Sequence, residues 1–323
     1  MSEVGSPASA LSVRHLKKYY HTAKGSLHAV DDISFDIGAG QTLGIVGESG
    51  CGKTTAGRAI LRLVEPTAGS VVFDGVDVVS ASRGRMRALR ERMQIIFQDP
   101  YASLDPRMSV ARIIAEPLII HRRVRGKAML ERRVRELMDM VELADRLYDS
   151  YPHELDGGRR QRIGIARALA LEPGFLVCDE PVSALDVSVQ AQILNLMQDL
   201  QDRLGLTYMF VTHDMSVVKH ISDEIAVMYL GQIVEKSPAK ELFRTQYHPY
   251  TRALISAIPR IENAGQGEGM ILRGEIGSPI EPKPGCRFVP RCPYAEDACM
   301  EADPPLLEIE KNRFVACRRA GKI

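Results

Sequence analysis

The sequence predicts an α/β fold organised around a phosphate-binding loop, and three observations carry that prediction. The run Gly47-Glu48-Ser49-Gly50-Cys51-Gly52-Lys53-Thr54-Thr55 fits the pattern G-x-x-x-x-G-K-[ST]. It follows Thr42 to Val46, which reads as a buried strand, and leads into a helical pattern from Thr54 to Leu63. A second apolar run, Phe175 to Cys178, reads as a buried parallel strand and ends in two acids, Asp179 and Glu180.

Each part of the loop has a physical task. Glycines let successive backbone N–H groups turn toward one point and form an anion nest. The following helix presents its N-terminus to the same point. Lys53 brings a positive charge to the β- and γ-phosphates of a nucleotide, and the Thr54 hydroxyl is a Mg²⁺ ligand. Asp179, at the end of its strand, is placed to hold Mg²⁺ through water. Glu180 is placed to orient or deprotonate an attacking water.

The remaining elements follow from periodicity and turn chemistry. Residues 11–46 alternate as strands, with turn signals at Thr22 to Gly25 and at Gly38-Ala39-Gly40. After a turn at Pro66 to Gly69, Ser70 to Val78 reads as a hairpin about Asp74-Gly75. Met93 to Phe97 is a short strand ending at Gln98. Residues 107–150 become Arg-rich and helical in period, which marks an inserted helical subdomain at about 101–164. Val187 to Leu204 is a long amphipathic helix, and Tyr208 to Val211 and Ile225 to Tyr229 are further strands. Near residue 260 the chain turns Gly- and Pro-rich, which places a boundary there. The expected division is 11–260 for the nucleotide-binding domain and 261–323 for a small Cys-rich extension.

Bulk properties exclude several classes. The balance of 42 basic against 41 acidic residues gives no electrostatic reason to expect nucleic acid as a partner. No apolar run approaches the ~20 residues that span a bilayer. Met1 to Leu11 lacks the features of a secretion signal, so the expectation is a cytosolic chain. Any membrane role then requires a partner that spans the bilayer.

In their order and spacing these motifs resemble the ATP-binding cassette (ABC) transporter ATPases over roughly residues 11–323. The resemblance implies a P-loop NTPase (RecA-like) core with an antiparallel β subdomain and an inserted helical ABC subdomain. It implies ATP and Mg²⁺ as ligands. Tyr20 matches the aromatic residue that stacks on adenine, with Tyr19 as a possible substitute. Gln98, in Phe97-Gln98-Asp99-Pro100, matches the Q-loop glutamine that senses Mg²⁺. Asp186, in Ser183-Ala184-Leu185-Asp186, matches the D-loop, and His213 matches the switch histidine at the γ-phosphate. The runs Cys178 to Val187, His248 to Leu254 and Gly274 to Ile280 resemble one branch, the second ATPase subunit of oligopeptide and dipeptide importers.

One motif departs from that family. Its signature loop usually reads Leu-Ser-Gly-Gly-Gln, whereas this chain has Leu155-Asp156-Gly157-Gly158-Arg159. In the family that loop closes on the partner ATPase's P-loop. A carboxylate and a phosphate charge ~4 Å apart repel by about 4 kcal/mol at an effective dielectric of about 20. Arg159 can offset part of this by pairing with Asp156 or with phosphate. Asp is also a favoured N-cap residue, so Asp156 can equally cap the helix that follows. The expected consequence is a heterodimer with one strong site, completed by a partner's normal loop, and one weak site, completed by Asp156 and Arg159.

Four of the six cysteines, Cys286, Cys292, Cys299 and Cys317, crowd into the last 38 residues. Their spacing lacks the short C-x2–4-C pair of zinc sites. Four thiolates suit a [4Fe–4S] cluster or zinc by ligand type, and reduced or disulfide-linked cysteines are the remaining reading. The resemblance to importers that carry such a segment favours the cluster, in a structural or redox-sensing role. The neighbouring Arg287, Arg291, Arg318 and Arg319 read as a solvated face.

Together these readings lead to an ATP-hydrolysing importer subunit, peripheral on the cytoplasmic face of the inner membrane. The resemblance implies a second ATPase, two transmembrane permeases and an extracytoplasmic solute-binding protein as partners. Rival readings are a soluble single-cassette ABC ATPase and an iron–sulfur-regulated sensor ATPase. Nickel, glutathione or another small solute stands as an alternative cargo.

Overall fold

Strand formation begins where buried residues alternate along the chain. In β2 (Gly25–Gly38), Ile33, Phe35 and Ile37 point to one side and are buried. In β1 (Ser9–Thr22) the buried set is Leu11, Val13 and then Leu16, so the period breaks once. The break is a bulge: pairing with β4 (Ala68–Phe73) shifts register between Arg14 and Lys17, and His15 takes a left-handed φ of 50°. Gly69 has to be glycine here, because a Cβ would lie 2.4 Å from the His15 carbonyl oxygen. The antiparallel sheet runs in the order β2-β1-β4-β5, with β5 at Val76–Asp77. Asp74 and Gly75, at φ 46° and 74°, make the β4–β5 turn expected from their sequence.

The computed structural model describes residues 9–258 and 277–322. The described residues form two units, one within 9–37, 41–79 and 210–322 and the other of 38–40 and 80–209.

The first unit holds the antiparallel sheet and a second set of strands. β3 (Thr42–Val46) is wholly buried and pairs in parallel with β9 (Glu224–Tyr229). β10 (Gln232–Pro238) then pairs antiparallel with β9. On its other side it takes β12 (Arg313–Val315), which pairs with β11 (Leu307–Glu310). The helices of this unit are α1 (Lys53–Ile60), α7 (Met215–Ile221), α8 (Ala239–Arg244) and α9 (Pro249–Ser256). A core of Val46, Val218, Val227, Tyr229, Leu242, Tyr250 and Phe288 draws strands, helices and the cysteine-bearing segment together. Burial of a large aromatic such as Tyr250 or Phe288 contributes roughly 2–3 kcal/mol.

The second unit contains α2 (Arg83–Arg92), the parallel pair β6 (Met93–Ile96) and β7 (Phe175–Asp179), and a helical group. That group is α3 (Val110–Ile120), α4 (Lys127–Met140) and α5 (Gly157–Leu169), which pack on one another. In α4, Val134, Leu137 and Met138 supply the buried stripe at i, i+3 and i+4. Helix α6 spans Val187–Leu204 as its periodicity predicts, and Gly205 at φ 67° ends it. Strand β8 (Thr207–Thr212) carries the chain from the second unit back to the first.

The helix after the glycine loop begins at Lys53 and ends at Ile60, not at the expected 54–63. Arg62, at φ 50°, cannot extend it. The runs Gly274 to Ile276 and the expected boundary near 260 fall outside the described residues. Among the described residues no helix is long and apolar enough to cross a membrane.

Candidate functional site

The glycine-rich loop connects β3 to α1 within the first unit. Gly50 and Gly52 take φ of 79° and 104°, a region that side chains disfavour. A Cβ on Gly52 would lie 2.0 Å from the Ala29 carbonyl oxygen, and one on Gly47 would lie 2.1 Å from that of Met228. The first and last glycines are thus required by backbone packing as well as by the turn. The Lys53 ammonium is buried and donates to the carbonyls of Gly47 at 2.7 Å and Glu48 at 3.0 Å. Cys51 is buried, and desolvation raises its thiol pKa against the opposing pull of Lys53. Ser49 is exposed, while Thr54 and Thr55 are half-buried in the first turn of α1.

Glu48 is held from outside the loop. Its backbone N–H donates to the Tyr250 hydroxyl at 2.9 Å. Its carboxylate receives both terminal nitrogens of Arg291, at 2.6 and 3.0 Å. Arg287, from the same segment, donates to the Leu230 carbonyl and to Asp31. Asp31 also accepts from the Tyr19 hydroxyl and pairs with His28 Nδ1 at 2.9 Å. Burial works against the Asp31 carboxylate, but Tyr19, His28 and Arg287 together bring its pKa below the usual range. Arg287 and Arg291 are 5% and 6% exposed, which corrects the expectation of a solvated face for these two. The sequence signal for them was absent: an arginine beside a cysteine does not reveal an acid more than two hundred residues away.

The two tyrosines offered for stacking have different surroundings. The Tyr19 ring stacks on His28 at 3.9 Å between centroids, and its hydroxyl is engaged by Asp31. Tyr20 is exposed, with the Lys18 ammonium over its ring at 4.6 Å. His213 is exposed between β8 and α7, and the next residue, Asp214, caps α7 by accepting from Ser216 N–H at 2.7 Å.

Asp179, Glu180, Gln98, Asp186 and the signature loop lie in the second unit. Asp179 is buried at the end of β7. Its neighbour Glu180 takes a left-handed φ of 47°, an uncommon conformation outside glycine. Gln98 Nε2 donates to Glu180 Oε2 at 2.9 Å, so the structure brings these two candidates together. Ser183 Oγ donates back to the Glu180 carbonyl at 3.1 Å and closes the turn. Asp186 is exposed at the N-terminus of α6, and its side chain makes no capping bond.

The signature residues form the start of α5. Asp156 accepts from Arg159 N–H at 2.8 Å as an N-cap, and its other oxygen lies 3.3 Å from the Arg159 guanidinium. Gly157 and Gly158 pack closely on the start of α6 and the loop that leads into it. A Cβ on Gly158 would lie 2.6 Å from Val189 Cγ1, and one on Gly157 would lie 3.0 Å from Leu185 Cδ2.

The cysteines Cys286, Cys292, Cys299 and Cys317 line one cavity with His248, Phe288 and Tyr294. None is disulfide-bonded. Burial, with mutual repulsion of the thiolates, pushes Cys286 up to about 11. As they are placed, no three His, Cys, Asp or Glu side chains among the described residues are set to hold a metal ion.

Comparison with known proteins agrees with this frame. Residues 30–183 match the ABC transporter family, and residues 234–299 match the oligopeptide/dipeptide transporter C-terminal region. A putative peptide import ATP-binding protein of Brucella ovis is 53% identical over 309 residues, covering 96% of this chain and 97% of the relative. The dipeptide transport ATP-binding protein DppF of Haemophilus influenzae is 46% identical, covering 98% of each chain. Among solved structures, the ATP-binding cassette MJ0796 bound to ADP and Pi is 28% identical with a TM-score of 0.65. It covers 71% of this chain and 98% of that one. The cbiO1 protein of Clostridium perfringens, part of the cbiONQ transporter complex, is 29% identical with a TM-score of 0.66, covering 74% and 92%. The chain belongs to the ABC transporter ATPases, in the branch that carries the oligopeptide/dipeptide transporter C-terminal region, and is an ATP-binding, ATP-hydrolysing subunit.

Proposed function

We propose that this subunit powers the import of oligopeptides or dipeptides. The observation that carries the reading is likeness over nearly the whole chain, including the C-terminal region, to ATP-binding proteins named for peptide import. The partners would be two transmembrane permeases and an extracytoplasmic solute-binding protein, with this chain peripheral on the cytoplasmic face.

Roles follow residue by residue. The loop from Gly47 to Lys53 cradles phosphate through the N–H groups of Ser49, Gly50, Cys51, Gly52 and Lys53, with Gly47 and Glu48 shaping the turn, Lys53 supplying charge and Thr54 and Thr55 supplying hydroxyls. Tyr20 stacks on the adenine. Thr54, Gln98 and Asp179 hold Mg²⁺, Glu180 acts on the attacking water, and His213 meets the γ-phosphate. The Gln98–Glu180 hydrogen bond supports a shared task for those two residues. Asp186, and the loop of Asp156, Gly157, Gly158 and Arg159, serve the contact with a second ATPase. A different ATPase with a Ser-Gly-Gly-Gln loop is the favoured partner, because two copies of Asp156 would weaken both sites.

The four C-terminal cysteines are assigned an iron–sulfur cluster. Ligand type and the shared cavity support this, although their side chains would have to reorient to meet one centre. Anaerobic purification with equal iron and labile sulfide supports the assignment, and zinc or neither refutes it.

The test of the import reading is uptake of labelled dipeptides and oligopeptides into proteoliposomes holding the full complex and its binding protein. ATP-dependent uptake that fails on Lys53→Ala is expected. Uptake of nickel or glutathione but no peptide would replace the substrate assignment.

A further inference from the structure

We propose that Arg291 is a positioning residue for the nucleotide-binding loop, acting through Glu48. The proposal rests on the reading of that loop as the phosphate cradle.

Glu48 is the second residue of the glycine loop and is restrained at three points. Its carbonyl accepts from Lys53, its N–H donates to Tyr250, and its carboxylate is gripped by both terminal nitrogens of Arg291. Only the first restraint comes from the loop itself. A bidentate guanidinium–carboxylate pair fixes direction as well as distance, which a single-point contact does not.

The arm that delivers Arg291 is itself fixed. Residues Val289–Arg291 form a single 3-10 turn, closed by Val289 N–H to the Cys286 carbonyl at 3.0 Å and Arg291 N–H to the Phe288 carbonyl at 3.0 Å. Phe288 is 1% exposed and lies against Tyr229, Tyr250 and His248 with ring centroids 5.3 to 5.6 Å apart. Tyr250, in that cluster, is the same residue that accepts the Glu48 N–H. One packed cluster therefore holds two of the three restraints on Glu48.

The experiment measures affinity for a fluorescent ATP analogue, and ATPase KM and kcat, on the full complex. Arg291→Ala is expected to weaken binding about fivefold or more, with KM rising by a similar factor and kcat nearly unchanged. Glu48→Gln, which keeps the shape and loses the charge, is expected to weaken binding at least about threefold. In the Glu48→Gln background Arg291→Ala is expected to add nothing, since the pair acts as one unit. Arg291→Lys should restore only part of the affinity.

Unchanged affinity in both single variants overturns the proposal, as does an Arg291→Ala effect of equal size in the Glu48→Gln background. A lowered melting temperature with unchanged KM means a structural pair only and also overturns it. If Arg291→Ala does not fold, Glu48→Gln decides: unchanged affinity there is the contrary result. Lys53→Ala serves as the control, because intact affinity in that variant would overturn the reading of the nucleotide site itself.

Discussion

Asp156 grips Arg159 twice, accepting the backbone N–H at 2.8 Å through one carboxylate oxygen and lying 3.3 Å from the guanidinium with the other. The carboxylate that replaces the usual signature serine is therefore occupied as a helix cap and ion-pair partner. Both side chains are largely exposed, so the pair itself stabilises the fold by less than about 1 kcal/mol. On the proposed closure of this loop over a nucleotide, the pair would have to be broken or moved as the phosphate approaches. Asp156 favours the capped arrangement and opposes a nearby anion.

Asp156→Ser/Arg159→Gln should therefore raise ATP turnover at the site this loop completes. Ser caps nearly as well as Asp, so stability should change by less than about 0.5 kcal/mol. ATPase assays on the complex with its second ATPase inactivated at the other site check this. An unchanged rate would remove the carboxylate as the cause of weakness.

Tyr20→Ala should weaken ATP binding by roughly 1–3 kcal/mol, the usual worth of an aromatic–base stack. Tyr19→Phe should leave ATP affinity within about twofold, because its ring is already stacked on His28 and only the Asp31 bond is lost. Isothermal titration of both variants separates the tyrosines, and the reverse ranking would transfer the stacking role to Tyr19.

Gly158→Ala should cost roughly 1–3 kcal/mol by overpacking, since the new Cβ meets Val189 Cγ1 at 2.6 Å. Val189→Ala in the same chain should recover most of it. Chemical unfolding of the three variants is the check, and a neutral Gly158→Ala would mean that α5 and α6 separate freely.

His248 supplies a pH dependence of stability. Burial lowers its pKa from 6.5 to about 3, and its Nδ1 accepts the Tyr250 N–H. Between those values the unfolded chain binds a proton that the folded chain refuses, so stability falls as pH drops below 6.5. The expected slope is about 1.4 kcal/mol per pH unit. Glu235 accepts the His248 N–H at 2.9 Å, and burial raises its pKa, so its own contribution runs in the opposite direction, lost as pH rises. His248→Asn keeps a capping oxygen and should remove the His248 slope alone. Melting curves of both proteins from about pH 7 to pH 5 report it; parallel curves would place the acid sensitivity elsewhere.

The parts of this fold that were legible in the sequence were those written in short-range chemistry. Asp74-Gly75 announced its hairpin, the run Val187–Leu204 announced its helix, and Asp156 announced its cap. Three features were hidden for identifiable reasons. The bulge at His15 breaks the alternation of β1, and only the pairing with β4 reveals it. Helix α2 has five Arg among its ten residues and buries only Met86 and Leu89, too thin an apolar stripe to stand out. The burial of Arg287 and Arg291 depends on Asp31 and Glu48, partners that folding alone brings close.

Glu180 is proposed to drive the ATP hydrolysis that powers import, and its removal separates that role from nucleotide binding. ATP turnover and peptide uptake are followed together in proteoliposomes holding the full complex, comparing the native chain with Glu180→Gln. Turnover at the site built on this chain is expected to fall by about a hundredfold or more, with uptake lost and ATP still bound. Uptake and turnover that persist in Glu180→Gln would contradict it.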